Sequence, residues 1–478
     1  MERAVIFVVV AISLLAVGIV AAFVVNYASL NRTKEQGPFL VGVTYCGNST
    51  AEAKVMVDRV KNYTNLFVLQ SGPLMTDEAS VREIGDYAVS CGLRFAAMFD
   101  PSASARRATW LGFAEQRWGD MFAGVYYDDE PGGKMLDAHQ VTLYEGTSER
   151  ITKYNHGSVS VYKKGLSITY MPNGDIFVNK QNIPSSNLTS QPTELPKRNS
   201  NATAYYSNGT ITFRELGGDF FTMDNGTSLI SQLKPRDEWL NAYPFPNCDA
   251  VAEKYVKSIQ RTLEELNTQW SLHQSFPIFT SDYALYWWDY QGGYDLILAQ
   301  LGWNNSVAQE IGLVRGAANL QGKPWGTIIT WTYTKPPYLT SGNEMYEQMR
   351  MSYESGAEYV IIFNYAKDME GPYGTLKEEH FEALELFWND VVQNPAITHG
   401  GIKAEAAFIL PKNYGWGMRN PQDTVWGLWE PTAEAQQAWQ PLQDAVAKYG
   451  LRLDIVFDDQ AHPFDGKYSK VYYWNQTS

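Results

Sequence analysis

The chain is expected to fold as an α/β protein, a closed (β/α)8 barrel, and three observations predict it. Brief apolar runs alternate with longer helical patterns, as parallel βα units require. The runs number eight, and no topological switch of the kind that an open doubly wound sheet needs can be placed among them. A β-rich insertion after the fourth strand, a small C-terminal α/β appendix and an N-terminal transmembrane helix complete the expected architecture.

Length and composition agree with one large core plus accessories: 478 residues, 45% hydrophobic and 14% aromatic. The net charge of −14 argues against a nucleic-acid partner, because a phosphate backbone needs a basic face to displace its counterions. Cys46, Cys91 and Cys248 are too few for a disulfide framework, although one bridge with one thiol left over remains open. The six histidines are scattered and form none of the close pairs of a zinc or iron site. No dinucleotide or metal motif occurs, so no cofactor is expected.

Residues 1–38 are the expected anchor and linker. From Ala4 to Val25 the chain carries no charge, long enough to cross about 30 Å of hydrocarbon and longer than the apolar core of a secretory signal. A lipid bilayer is therefore one predicted partner, through residues 4–25. Asn-x-Ser/Thr sequons at Asn31, Asn48, Asn62, Asn187, Asn201, Asn208, Asn225, Asn304 and Asn475 point to the outside of the cell. Asn187, Asn201, Asn208 and Asn225 fall in one segment, the predicted glycan-bearing surface.

The first half of the barrel spans 39–135, with strands at Phe39–Cys46, Leu66–Gln70, Leu93–Asp100 and Phe122–Glu130 and a helical pattern at Ala79–Gly92. The insertion, 136–246, alternates apolar and polar residues around Asn173-Gly174 and Asn208-Gly209, both strong hairpin turns, while Pro184–Asn201 has a disordered composition. The second half, 247–400, opens with a helix at Asp249–Trp270. Strands follow from Phe276, Tyr294, Pro324 and Glu358, with helical patterns at Asn305–Leu320, Glu344–Ser355 and Leu376–Val392. Residues 401–478 form the appendix: two strands and a terminal apolar run, with a Trp/Gly-rich loop and a helix at Thr432–Tyr449 between the strands.

The chemistry is expected at the stretch FAGVYYDDEPGG, Phe122–Gly133, where an apolar strand ends in three carboxylates and a turn. Barrels carry their reactive groups at the C-terminal strand ends. Crowded carboxyls raise one another's pKa, and strand alternation predicts Asp128 and Glu130 in the mouth with Asp129 facing the outer helices. Glu130 is the predicted proton donor, Asp128 orients it or contacts a sugar hydroxyl, and Asp282 at the end of the fifth strand is the second carboxylate, ahead of Asp100 and Glu370. Paired carboxylates are what glycosidic cleavage uses. Tyr45, Gln70, Asp100, Gln300, Trp331, Tyr333 and Asn364 stand at other strand ends as substrate-binding candidates. Trp287 and Trp288 are expected at the pocket mouth, where their faces suit stacking on a sugar ring. A solvated acidic loop, a helix-initiating cap or a calcium site on Asp128, Asp129 and Glu130 is the competing reading, as are a structural cap for Asp282 and core or interface packing for the tryptophans.

Over Phe39–Val392, and at the level of architecture, the chain resembles the (β/α)8-barrel glycoside hydrolases. The resemblance rests on the carboxylate lip DDEPGG after strand four, the Trp/Tyr-rich strand ends and the small α/β appendix. It implies hydrolysis of a carbohydrate or surface glycan by an outward-facing, membrane-anchored glycoprotein. The chain departs from the largest retaining clan of that superfamily, which carries its nucleophile after strand seven, where this sequence has ITWTYTKPPY and no carboxylate. A catalytically inactive glycan-binding or surface-layer protein on the same scaffold is the alternative.

Overall fold

The computed structural model describes residues 39–99, 107–137, 247–270, 276–303, 305–365, 371–427, 429 and 431–476, together with the strands of the insertion and residues 171 and 175 between them. The predicted span 4–25 lies outside these residues. So do Asp100, Asp368 and Glu370, the hairpin-turn residues 173–174 and 208–209, and the sequon asparagines 31, 187, 201, 208, 225 and 304. No helix among the described residues is long and apolar enough to cross a membrane.

Eight parallel strands close into a barrel: β1 Leu40–Tyr45, β2 Leu66–Leu69, β3 Arg94–Phe99, β4 Phe122–Tyr127, and, after the insertion, β15 Ile278–Asp282, β16 Leu296–Leu301, β17 Trp325–Ile329 and β18 Tyr359–Ile362. They are apolar on both faces, as strands under a ring of helices must be, and most of their residues are buried. The outer helices follow from spacing and caps. Thr50–Val60 buries Ala53, Met56, Val57 and Val60 behind the Ser49 cap, and Glu78–Ser90 buries Val81, Ile84, Gly85 and Ala88 behind Asp77, whose carboxylate accepts from the N–H groups of Ala79 and Ser80.

Strand four is irregular. Phe95 pairs with Phe122 but Ala96 pairs with Gly124, so the strand carries one extra residue at Ala123. Gly124 sits at φ +124°, with space for a Cβ taken up by the Pro277 carbonyl at 2.4 Å. The insertion holds two antiparallel sheets, one of β5 to β10 between Gln140 and Ile183 and one of β11 to β14 between Thr193 and Asp224. Both predicted hairpins are present: β8 (Leu166–Tyr170) pairs with β9 (Ile176–Val178) through Tyr170 and Ile176, and β12 (Thr203–Ser207) with β13 (Thr210–Arg214) through Ser207 and Thr210. Within the piece expected to be disordered, Thr193–Glu194 forms a short strand on β12.

The appendix is a three-stranded parallel sheet in the order β20 (Leu453–Phe457), β19 (Ala406–Leu410), β21 (Lys470–Tyr473), with the helix Ala433–Tyr449. It packs on the barrel helix Val307–Gln321, which is consequently buried on nearly all sides. Gly312 and Gly316, one turn apart, let the β20 backbone approach: a Cβ would meet the Leu453 and Ile455 carbonyls at 2.8 and 2.9 Å. Between them Arg315 donates to Asp454 at 2.8 Å and to the Leu451 and Leu453 carbonyls. Cys46, Cys91 and Cys248 are all free thiols.

Candidate active site at the barrel mouth

The interior parity of the strands decides which side chains meet. Phe279 on β15 stacks on Tyr126 of β4 at 5.5 Å and reaches Tyr359 of β18 across the barrel at 6.1 Å, so its face is the inner one. Ser281 shares that face with Phe279, whereas Thr280 and Asp282 point outward. Above Tyr126 and Ser281 the inner face is polar. Asp129 Oδ1 accepts from the Tyr126 hydroxyl and, at 2.9 Å, from Ser281 Oγ. Gln300 of β16 donates from Nε2 to Ser281 Oγ at 3.0 Å and to Glu130 Oε1 at 2.7 Å. One hydrogen-bonded network thus links strands four, five and six beneath Glu130. The side-chain donors to the Asp129 and Glu130 carboxyls are hydroxyls and an amide, while the Lys134 ammonium donates to the Asp129 carbonyl.

The alternation expected for the acidic lip fails. Strand β4 ends at Tyr127, and Asp128 and Glu130 both adopt left-handed backbone, φ +53° and +56°. Each left-handed residue turns the chain, so Asp129, predicted to face the helices, comes inside. Asp128 is tied down through its carbonyl, which accepts from Thr280 Oγ1, and its charge acts on buried Tyr294 and Asp289. Glu130 keeps the expected place at the mouth. Non-glycine residues hold such backbone only where the surroundings enforce it, and Leu285, Trp303 and Tyr338 at neighbouring strand ends do so too.

Burial raises the Glu130 carboxyl above its ordinary value, and the Asp129 charge raises it further, against the Gln300 hydrogen bond that lowers it. A half-buried acid so placed retains its proton at higher pH than an exposed one.

Asp282 is not the second carboxylate of the mouth. It points outward, is fully buried, and accepts four backbone N–H groups: Gly132 at 2.5 Å, Gly133 at 2.8 Å, Tyr283 at 2.7 Å and Ala284 at 3.2 Å. Gly132 and Gly133 open the helix Pro131–Asp137, so Asp282 caps the segment that follows Glu130. Both glycines are required sterically, since a Cβ at Gly133 would lie 2.1 Å from the Tyr283 ring. Beside Asp282 lies buried Asp289, which accepts from the Tyr255 hydroxyl at 2.6 Å. Burial and the Asp282 charge hold the Asp289 carboxyl well above the usual range. Burial also pushes the Asp282 carboxyl up to about 8, against the N–H donors of Gly132, Gly133 and Tyr283 that lower it.

Trp287 and Trp288 are also corrected. They lie 2% and 1% exposed in the helix Tyr286–Gly292 and pack against the appendix, with Phe457 at 5.5 and 4.6 Å from the two rings and Trp426 at 4.7 Å from Trp288. Tyr45 is buried, its hydroxyl donating to Glu52 at 3.2 Å and accepting from the Ser49 N–H, which fixes the loop after β1. Asn364 is buried too, and its Oδ1 accepts from the Thr375 N–H, which pins the chain after β18. Gln70 and Gln300 each bury a side-chain oxygen that has no hydrogen-bond partner.

Trp331 and Tyr333 do reach the mouth, and other rings join them. Trp303 contacts Trp331 at 6.0 Å, Tyr338 lies 5.1 Å from it, and Tyr365 stacks parallel to it at 6.5 Å.

One further buried acid has a measurable consequence. Glu310 accepts from the Tyr286 hydroxyl at 2.6 Å, and burial pushes its carboxyl up to about 7 from an ordinary 4.5. Between those values the folded chain holds a proton that the unfolded chain has lost, so stability falls as pH rises through that window. Glu310→Gln, neutral throughout, is expected to remove roughly 2–3 kcal/mol of that fall between pH 5 and 8. Chemical denaturation of both proteins at each pH checks it. His380, held below its ordinary value by burial, acts in the opposite sense but equally in both proteins.

No protein-family profile matches the chain, and no curated protein sequence matches it.

Proposed function

We propose that the chain is a glycoside hydrolase-like protein in which Glu130 protonates the leaving oxygen of a glycosidic bond. The observation that carries this reading is the Glu130 carboxyl: set at the barrel mouth on a left-handed residue, oriented by Gln300 and raised by burial and by Asp129. Asp129, held by two hydroxyls on the same inner face, is the charged neighbour that, after burial, raises the Glu130 carboxyl. The uncharged run at residues 4–25 and the exposed sequon residues Asn48, Asn62 and Asn475 support a membrane-anchored, outward-facing glycoprotein whose partner is a surface glycan. Turnover of a panel of aryl glycosides and cell-surface polysaccharides, by wild type and Glu130→Gln, tests it. Activity that survives the substitution removes Glu130 from the mechanism.

A second reading, a glycan-binding barrel without hydrolysis, is favoured by one observation: Asp282, the second carboxylate expected from the sequence, is fully engaged as a cap. Glycan binding without turnover by the wild-type chain supports this second reading, and hydrolysis of any bound glycan excludes it.

A further inference from the structure

Three of the seven exposed large apolar side chains among the described residues, Trp303, Tyr333 and Tyr365, at 43%, 45% and 39%, follow the ends of β16, β17 and β18, and Trp303 and Tyr365 both contact Trp331. Such rings are normally covered, and a contiguous exposed group of them marks a binding surface. The group is held in advance. The Trp331 indole N–H donates to the Tyr365 carbonyl at 2.6 Å and the two rings are parallel within 9°. The Trp303 N–H donates to the Trp331 carbonyl at 2.8 Å. The loop beyond β17 is closed by the N–H groups of Thr332 and Tyr333, both donating to the Tyr338 carbonyl. A rigid platform loses little conformational freedom when it binds.

The platform adjoins the acid. Trp303 follows Gln300 by three residues, and Gln300 donates to Glu130. Strands β4, β15, β16, β17 and β18 are neighbours in that order, so the surface runs from Glu130 across half of the barrel mouth to Tyr365. That length suits a chain of several sugar rings rather than a single one.

We infer that this surface is a subsite region for a neutral, extended oligosaccharide. The inference rests on the glycan reading of the mouth but not on hydrolysis. Aromatic faces carry partial negative charge and attract the polarised C–H groups of a sugar ring, and they offer nothing to a carboxylate or sulfate. The surroundings discriminate further. Asp129 sits at one end of the surface, and the chain carries a net −14, against which Lys134, whose Nζ donates to the Asp129 carbonyl, and the exposed Lys335 of the β17 loop are two charges. A polyanionic glycan is repelled where a neutral one is not.

The test uses the full chain carrying Glu130→Gln, so that binding is read without turnover. It is titrated by tryptophan fluorescence with neutral cello-, xylo-, manno- and malto-oligosaccharides of two to six sugars, and with oligogalacturonates as the acidic series. At least one neutral series is expected to bind with affinity rising with length, and Trp303→Ala or Tyr333→Ala in the same background to weaken it about tenfold. Trp303 and Tyr333 are each a little under half exposed, and denaturant unfolding of both variants separates lost binding from lost fold. The inference is overturned if only the acidic series binds, if no series binds, or if both alanine variants bind as tightly as their parent. Self-association that Trp303→Ala abolishes also overturns it, because the platform then covers a second copy of the chain. Loss of hydrolysis in the wild-type assay, with binding retained, defeats the catalytic reading and leaves this one standing.

Discussion

Asp282→Ala is expected to lower the stability of the folded chain by about 3–5 kcal/mol, because it strands four backbone N–H groups at once, three of them buried. Two of those donors open the helix after Glu130, and two belong to the turn after β15, so the loss reaches both strand ends together. Removing the carboxylate also removes the neighbouring charge that, after burial, raises the Asp289 carboxyl. Asp282→Asn separates this structural role from a chemical one. Oδ1 accepts from Gly133, Tyr283 and Ala284, so an amide oxygen placed there keeps three acceptor contacts and loses the one to Gly132. The asparagine variant is therefore expected to be destabilised far less than the alanine variant and to retain activity. Denaturant unfolding and turnover measured on both variants check this. An alanine variant as stable as wild type removes the capping role, and an asparagine variant that is stable but inert restores Asp282 as a reacting group.

The contrast between Asp282 and Glu130 shows how far the sequence is legible. Eight apolar runs, helices between them and the two insertion hairpins follow from periodicity and turn residues, because burial under helices and left-handed turn positions leave composition marks. Strand parity leaves none. A strand buried on both faces reads FPIFTSD in either orientation, so nothing in the sequence says that Phe279 and Ser281 face inward and Asp282 outward. The extra residue at Ala123 and the left-handed backbone of Asp128 and Glu130 then break the alternation by which Asp129 was assigned to the outside. Trp287 and Trp288 fail for a different reason. Their place is decided by the appendix, whose Phe457 and Trp426 lie more than a hundred residues away in sequence. Glu130, Gln300, Trp331 and Tyr333 lie at or just beyond the C-terminal ends of barrel strands, a position that the order of apolar runs alone gives. Tyr126 and Ser281, which hold the network together, are interior residues whose role becomes visible only once the register of β4 and β15 is known.

Glu130→Gln is expected to reduce turnover by roughly 10²–10⁴-fold, the usual contribution of a positioned general acid, while leaving the fold intact. The amide is nearly isosteric and can turn its oxygen toward Gln300 Nε2, so the hydrogen bond that orients the side chain persists. The pH profile carries the sharper information. A general acid works while protonated, so activity falls as pH rises through the Glu130 pKa, which burial first and the Asp129 charge second hold above 4.5. Asp129→Asn removes the charge and leaves the burial. The alkaline limb is therefore expected to move to lower pH in Asp129→Asn, and an optimum that stays put shows that the limb belongs to another group. The substitution preserves an oxygen to accept from Tyr126 and Ser281, so the network below Glu130 is retained. Because Asp129 carries no bond to the substrate in this reading, its removal changes where on the pH axis the enzyme works before it changes the maximal rate. A nucleophilic role for Asp129 predicts the reverse: a rate that collapses at every pH, with the limb unmoved.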